Sequence, residues 1–188
     1  MFGSKTGSGT IHTGKTRSEV GRPERRHCSI LRIEFAQLAE AADSLEPDEV
    51  GGLVADLLGR LTDPILTCDG VLLAHLQAGV VAIWNAPHEQ SNHARLALAA
   101  ARAAMSTAAA GGQPSGLRPH GAVVTGDVVV GNFGSRHRRA YAPIGSLVSS
   151  AEAACLAAPE GALLISRATL EEATEGNALG GEYAEERF

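Results

Sequence analysis

The order of apolar and polar positions divides the chain into strand-like and helix-like segments. The first is ERRHCSILRIEF, residues 24–35, in which Ile33 and Phe35 fall on one side of an extended chain and Arg32 and Glu34 on the other. Alternation with a period of two residues is typical of a strand that is buried on one face. We therefore expect the folded region to begin with a β-strand.

A helix is predicted after a short connection. Pro47 suits the first helical position, and Asp48 and Glu49 are favourable near the positive end of the helix dipole. Apolar residues then recur at helical spacing, at Val50, Leu53, Val54, Leu57, Leu58 and Leu61. Three glycines in this stretch lower its intrinsic helix propensity, so we expect tertiary packing to hold the helix in place.

The remaining segments continue the alternation of strands and helices. We predict strands over 64–76 and 79–84, a helix over 93–110, a hairpin over 120–134 that turns at Thr125 and Gly126, a helix over 148–157 and a strand over 162–165. This order is typical of an α+β fold with helices on one face of a mostly antiparallel sheet.

The two ends of the chain differ in composition from the part between them. Residues 1–23 are rich in Gly, Ser, Thr and basic side chains, which indicates a disordered, mildly basic tail. Residues 171–188 are acidic and without clear periodicity, and we interpret them as an acidic tail or a truncated end. The predicted domain spans residues 24–170.

Composition excludes several classes of function. The 188 residues are 44% hydrophobic and carry a net charge of −5, whereas nucleic-acid binders usually have a basic surplus. No apolar run is long enough to span a membrane, and the first residues lack the apolar core of a secretion signal. Cys28, Cys68 and Cys155 fit neither a zinc motif nor a disulfide framework. We therefore expect a cytoplasmic protein with reduced cysteines.

Six motifs resemble, in order and spacing, those of the class III adenylate and guanylate cyclase catalytic domains. They are ERRHCSILRIEF at 24–35, LEPDEV at 45–50, AIWNAP at 82–87, TGDVVVGNFGS at 125–135, YAPIG at 141–145 and GALLISRAT at 161–169. The fourth matches best, because the family has T-G-x-V-x-x-G-N-x-G there. The resemblance implies a ferredoxin-like βαββαβ core and a dimer with both active sites at the subunit interface.

Catalysis in active members depends on side chains that this sequence has replaced. Attack of the ribose 3′-hydroxyl on the α-phosphate spreads charge over phosphate oxygens, which two Asp-bound metal ions and fixed cations stabilise. The resemblance puts Glu34, a vestigial ligand with one extra methylene, at the first metal position. Small side chains occupy the others: Ala78 at the second metal position, Ala74 and Ala142 at the purine-reading Lys and its partner, and Ser149 and Ala153 at the Asn and Arg of the late helix.

Because these catalytic side chains are replaced, we predict a catalytically degenerate cyclase homology domain with a binding, dimerisation or scaffolding role. This prediction implies no catalytic residues and no cofactor. The expected partner is a protein, in a homodimer, a heterodimer or a larger assembly. Two alternatives stay open: an active adenylate or guanylate cyclase that uses Mg²⁺ or Mn²⁺, and a nucleotide-sensing module that binds without turnover.

Three weaker signals each have a structural or chance interpretation and a functional one. GTIHTGKT, residues 9–16, fits the phosphate-loop spacing G-x-x-x-x-G-K-T, but without a preceding buried strand it favours a chance match. The basic run 135–139 is typical of a solvated hairpin tip, or else of a site for a phosphate-bearing or acidic partner. His88 and His93 flank a helix start without further ligands nearby, and His75 fits a core strand as a structural histidine.

Overall fold

The computed structural model describes residues 22–76, 78–110, 117–174 and 183–188. Its elements, in chain order, are β1 (Glu24–Phe35), α1 (Leu38–Ala42), α2 (Pro47–Thr67), β2 (Val71–Leu76), β3 (Gly79–Trp84), α3 (His93–Ala110), β4 (Pro119–Gly134), β5 (Arg139–Ile144), α4 (Ser146–Ala157), β6 (Ala162–Ser166), α5 (Arg167–Thr174) and β7 (Tyr183–Arg187). The predicted phosphate-loop match at 9–16, and the predicted tail up to residue 21, lie outside the described residues.

The described strands form a single seven-stranded sheet with β1 near its centre. The strand order is β2-β3-β1-β4-β6-β7, and β5 pairs with β4 off this path. The pairing of β4 with β6 is parallel, and the other pairings are antiparallel. The expected α+β fold, with a ferredoxin-like βαββαβ core and a mostly antiparallel sheet, is therefore confirmed.

Helices cover both faces of this sheet. Leu31 and Ile33 of β1 belong to the main core, which α2 and α3 complete on one face. Cys28 and Ile30 point the opposite way and pack in a second cluster with Ala151 of α4. The expectation that all helices lie on one face is thus wrong for α4, whose short apolar stripe covers the second face.

Strand β4 runs through the position where the sequence predicts a turn. Thr125 and Gly126 are paired with Ser29 and Cys28 of β1 within one 16-residue strand, and the hairpin turns instead at residues 135–138, before β5. A Cβ on Gly126 would lie 3.2 Å from Cδ1 of Leu147. The glycine therefore permits close packing of α4 on the strand, and the predicted turn is wrong.

Helix α2 begins as predicted but extends further. Pro47 occupies the first turn, and Glu46 and Glu49 form a capping box that satisfies backbone N–H groups. Residues 64–67, predicted as strand, form the last turn of α2 because Ile65 continues its buried apolar face. None of the helices in the described part of the chain has the length and apolar character needed to cross a bilayer.

The acidic C-terminal residues that the structure describes are ordered into the fold. Residues up to 174 continue α5, and β7 adds an antiparallel strand beside β6. Glu186 forms an ion pair with Arg102 of α3, which anchors β7 to the helix layer. The interpretation of 171–188 as an acidic tail is therefore wrong for residues 171–174 and 183–188, which helix formation and strand pairing hold in the fold.

Candidate functional site

Glu34 lies near the end of the central strand, at the position that the sequence assigns to a metal ligand. It is paired with Gly79 of β3 on one side and with His120 of β4 on the other. A Cβ on Gly79 would lie 2.0 Å from the carbonyl oxygen of Ile33, so β3 approaches β1 too closely for any side chain there. Strand alternation directs Glu34 towards the α4 face of the sheet.

Arg32 neutralises Glu34 from within the same strand. Nε and Nη2 of Arg32 donate to Oε1 of Glu34 at 2.6 and 2.5 Å, as residues two apart on one strand face can do. Nη1 of the same guanidinium lies 3.2 Å from Oε1 of Glu152 on α4. The side chains of Arg32 and Glu34 are only 19% and 17% exposed. A cation is therefore already bound between two carboxylates.

Two uncharged groups complete the surroundings of Glu34. Ligand atoms of Glu34, His120 and Cys155 all lie within 4.8 Å of one another. Burial raises the pKa of Cys155 to about 12 and lowers the pKa of His120, so both are neutral at pH 7. Nδ1 of His120 is buried without a hydrogen-bond partner among the described residues. The arrangement is an ion pair beside two neutral side chains.

Ala78 lies directly beside Glu34, in the turn between β2 and β3. Its carbonyl oxygen accepts a 2.8 Å hydrogen bond from the N–H of Phe35, and the residue after it, Gly79, pairs with Glu34. The two positions that the sequence assigns to metal ligands are thus neighbours in space. One of them bears a carboxylate that is bound to Arg32, and the other bears a methyl group.

The four other positions that the sequence singles out do not gather around Glu34: Ala142 pairs with Gly131, at the far end of β4 from His120, the partner of Glu34. Ala74 is exposed on the edge strand β2, and Ala142 is half-buried on β5. Ser149 and Ala153 are exposed on α4, one helical turn apart, so they share a face. None of these side chains carries a charge, and only the hydroxyl of Ser149 can form a hydrogen bond.

A second cluster of polar side chains lies on the opposite face of the sheet. His27 of β1, His93 at the start of α3 and Glu172 of α5 bring their ligand atoms within 4.8 Å of one another. Nε2 of His27 is 2.7 Å from Oε1 of Glu172, and Nε2 of His93 is 3.7 Å from Oε2. The side chain of His93 is 8% exposed and that of His27 is 46% exposed, so the cluster is open on one side.

A series of hydrogen-bonded hydroxyl groups, most of them buried, continues from His93 into the fold. Nδ1 of His93 lies 2.9 Å from Oγ of Ser29, which lies 2.8 Å from Oγ1 of Thr125. Thr125 continues to Thr169 at 2.9 Å, and Thr169 to Ser166 at 2.9 Å. Hydroxyl groups can both donate and accept, so each of these hydroxyls has a hydrogen-bond partner in the protein.

The two histidines of the cluster differ in basicity. The hydrogen bond to Glu172 raises the pKa of His27; burial opposes this effect, and the hydrogen bond to Asp127 adds to it. Burial lowers the pKa of His93, against the attraction of Glu172. His27 is therefore the first of the pair to gain a proton as the pH falls, and His93 stays neutral at pH 7.

Comparison with known proteins relates the chain to nucleotide cyclases. No protein-family model matches the chain. It is 26% identical to Adenylate cyclase 1 of Rhizobium meliloti (strain 1021) over 134 residues, which is 68% of this chain and 20% of that relative's length. The solved guanylyl cyclase Cya2 is 27% identical with a TM-score of 0.73, over 86% of this chain and 85% of that one. The adenylyl cyclase CyaB from P. aeruginosa is 22% identical with a TM-score of 0.74, over 82% and 83%.

The chain has the fold of the class III nucleotide cyclase catalytic domains. The agreement with Cya2 extends over most of both chains. The motif at 125–135, which resembles the family best, lies in β4 except for its last residue. The chain spans about a fifth of the length of the curated relative, so it corresponds to one portion of that protein.

Sequence reasoning missed several residues of the candidate site. It read Arg32 only as the polar side of a strand, and it left out Glu152, which contacts Arg32 from a helix 120 residues later. It also found no partner for His93, because His27 and Glu172 are distant in sequence. The alternation of Arg32 with Glu34 was the one signal that could have revealed the ion pair.

The other sequence signals are placed as follows. His75 is exposed on β2, so the expectation of a core histidine is wrong, because β2 is an edge strand. His88 is exposed before α3 and is not part of the cluster around His93. The basic run 135–139 forms an exposed tip of the β4–β5 hairpin, where Nε of Arg136 donates to His137 at 3.0 Å.

Proposed function

We propose that this cyclase homology domain is catalytically degenerate and acts in the cytoplasm as a dimerisation or scaffolding module with a protein partner. The observation that carries the proposal is the bond between Arg32 and Glu34. A working site of this family needs the carboxylate at this position for a metal ion. Here a guanidinium bound to both Glu34 and Glu152 takes the cation's place.

The residues present do not fit the two magnesium or manganese ions of the family's reaction. Mg²⁺ requires oxygen ligands, among them carboxylates, in nearly octahedral geometry. Ala78 supplies no carboxylate, and a metal ion at Glu34 would displace Arg32 from a largely buried pair. Breaking such a pair leaves an uncompensated charge with little access to water, which is costly. We propose no metal cofactor for this site.

The groups that would stabilise the transition state are missing as well. Ser149 and Ala153 cannot supply the amide and guanidinium of active members, and Ala74 cannot supply the ammonium group that reads the purine. Losing a single transition-state donor typically lowers the rate by ~100–1000-fold. Losses of this kind at several positions support an inactive domain.

The surface of α4 supports the proposed binding role. Ser149, Ala153 and Leu156 recur at positions i, i+4 and i+7, so they form one stripe along the helix. All three are exposed, and the side chain of Leu156 is 67% exposed. Ile144, at the end of β5 directly before α4, is 53% exposed. We propose that this small and apolar stripe packs against a second copy of the domain, where the active members of the family place their catalytic cleft.

An activity assay tests the degenerate site. We expect the purified chain to make no cyclic AMP or cyclic GMP from ATP or GTP with Mn²⁺, while an active class III domain assayed in parallel does. Isothermal titration should show no metal-dependent nucleotide binding at millimolar concentration. Product formation that the substitution Glu34→Gln abolishes would overturn the proposal. Nucleotide binding without product would favour the nucleotide-sensing alternative.

Sedimentation velocity tests the interface. We expect a concentration-dependent dimer that Leu156→Glu shifts to the monomer, because a charge in an apolar interface must be desolvated. Leu66→Glu is the matched control, since Leu66 on α2 is also more than half exposed but lies on the opposite layer. A monomer at all concentrations, or equal effects of both substitutions, would contradict a dimer through α4.

A further inference from the structure

We propose that His27, His93 and Glu172 form a binding site for a divalent transition-metal ion of the zinc class. The site lies on the α3–α5 face of the sheet, whereas the cyclase-type position Glu34 points to the α4 face. His27 and Glu34 are also seven residues apart on β1, a distance of about 23 Å along an extended strand. The proposed ion is therefore independent of the family's catalytic metals.

The three side chains converge as ligands of a single ion. Both oxygens of Glu172 face an imidazole Nε2, at 2.7 Å for His27 and 3.7 Å for His93. The second distance is too long for a hydrogen bond. Two ligand atoms bound about 2.1 Å from a tetrahedral zinc ion lie about 3.4 Å from each other. The ligand atoms of the three residues all lie within 4.8 Å of one another, close to this separation.

The outer nitrogens of both imidazole rings are already held by hydrogen bonds. Nδ1 of His27 lies 2.8 Å from Oδ1 of Asp127, and Nδ1 of His93 lies 2.9 Å from Oγ of Ser29. Metal-binding histidines usually donate their second N–H to a carboxylate, a carbonyl or another polar group, which fixes the ring and leaves the first nitrogen for the ion. The Asp127–His27 pair has this arrangement.

Charge and ligand type select the class of metal. Imidazole nitrogens with one carboxylate suit Zn²⁺ and its neighbours in the transition series better than Mg²⁺ or Ca²⁺, which prefer oxygen ligands. Glu172 and Asp127 together supply two negative charges beside the site. The partial exposure of His27 leaves room for water as a fourth ligand.

The other cluster that contains a histidine, Glu34 with His120 and Cys155, is the weaker candidate. Its carboxylate is already bound to the guanidinium of Arg32. Burial also raises the pKa of the Cys155 thiol to about 12, which disfavours the thiolate that a metal would need. The cluster at His93 has neither of these obstacles.

The test is a metal titration of the full chain after treatment with a chelator. Zn²⁺ affinity is measured by competition with a chromophoric chelator, and Co²⁺ serves as a probe because four-coordinate sites give intense visible bands. We expect one ion per chain at this site. His27→Gln and Glu172→Gln should each weaken Zn²⁺ binding by about 100-fold or more, and Asp127→Asn, which alters only the support of His27, by about 10–100-fold. These side chains are partly exposed, so the variants should fold, which circular dichroism verifies.

The matched controls are His88→Gln and Glu171→Gln, which remove an exposed imidazole and an exposed carboxylate outside the cluster. Both should bind Zn²⁺ as the unaltered chain does. Absence of zinc binding, or equal binding by the His27 variant and the controls, would overturn the proposal and leave His27 as a histidine held between two carboxylates. A cobalt spectrum with strong thiolate charge-transfer bands would also overturn it, because it would place the ion at a cysteine.

Discussion

Nε of Arg32 donates a 2.6 Å hydrogen bond to Oε1 of Glu34, two residues further along the same central strand. The pair faces α4, where Glu152 approaches the same guanidinium at 3.2 Å. The resemblance to cyclases predicts a metal ligand at Glu34, and here the positive charge beside that carboxylate belongs to a side chain of the protein. In the proposed degenerate site, the guanidinium of Arg32 therefore replaces the metal ion, in addition to the loss of metal ligands.

Removing the guanidinium should destabilise the fold. Arg32→Met leaves Glu34 largely buried without its cation, and we expect unfolding in urea to become easier by about 1–3 kcal/mol. Adding Glu34→Gln should recover part of this loss, because the uncompensated charge is gone. Arg60→Met is the control, since Arg60 pairs with Asp56 at the surface and should leave the urea midpoint unchanged. Equal urea midpoints for Arg32→Met and the unaltered chain would show that the Arg32–Glu34 pair does not stabilise the fold.

Rebuilding the metal position should restore ion binding without restoring catalysis. Ala78→Asp places a second carboxylate beside Glu34, and Arg32→Ala removes the competing cation. The double variant should bind Mn²⁺ about tenfold more tightly than the unaltered chain, because affinity rises with the number of charged oxygen ligands. Isothermal titration measures this affinity. We expect no cyclic nucleotide from the double variant, since Ser149 and Ala153 are unchanged. Measurable product would mean that those two positions are dispensable.

Local pattern was enough to predict most of the elements, and tertiary pairing decided those it missed. The limits of β1 and the start of α2 follow from alternation and from the Pro47 cap, and both are local signals. Thr125 and Gly126 carry a turn signal, yet pairing with β1 extends β4 straight through them. Ala78 and Glu34 could be placed side by side because the resemblance supplied a fold.

The clusters around Arg32 and His93 could not be predicted because their members are distant in sequence. His27 and Glu172 are 145 residues apart. Glu172 falls in the stretch 171–188, which the sequence pattern indicates as an acidic end, whereas α5 begins at Arg167. Side-chain convergence of this kind depends on which faces of β1, α3 and α5 meet. A single sequence holds no local signal for such a meeting.

Two glycines provide a matched test of packing against helix propensity. Gly79→Ala should be strongly destabilising, because its Cβ would lie 2.0 Å from the carbonyl oxygen of Ile33 and β3 must move away from β1. Gly52→Ala should stabilise the protein by about 0.5–1 kcal/mol, because Gly52 lies in α2 with open space around it. Thermal melts of both variants check the opposite signs. A tolerated Gly79→Ala would contradict the close approach of the two strands beside Glu34.

The hydroxyl chain below His93 should contribute to stability through Thr169. This side chain is fully buried, and its Oγ1 meets the hydroxyl groups of Thr125 and Ser166, each at 2.9 Å. Thr169→Val keeps the shape but leaves these partners unsatisfied, so we expect a loss of about 1–3 kcal/mol in chemical denaturation. Thr67→Val, whose hydroxyl only donates back to the carbonyl of Asp63 at the exposed end of α2, should have little effect. Equal effects of the two substitutions would mean that water satisfies the hydroxyl groups that Thr169→Val leaves without a partner.

The three free cysteines should differ sharply in reactivity with a thiol reagent at pH 8. Burial raises the pKa of Cys28 to about 11 and that of Cys155 to about 12, so roughly one thiol in 1,000 and one in 10,000 is ionised at that pH. Cys68 is partly exposed beyond the end of α2 and should be labelled first.

Mass spectrometry after brief labelling of the folded chain identifies the modified residue, and Cys68→Ser should abolish the early signal. Labelling of Cys28 and Cys155 should follow only on unfolding in urea, because both side chains lack access to the reagent as well as a thiolate. Early modification of Cys155 would mean that α4 separates from the sheet in the folded protein. In that case Glu34 would be accessible from the α4 side, and the argument that Arg32 excludes a metal ion there would fail.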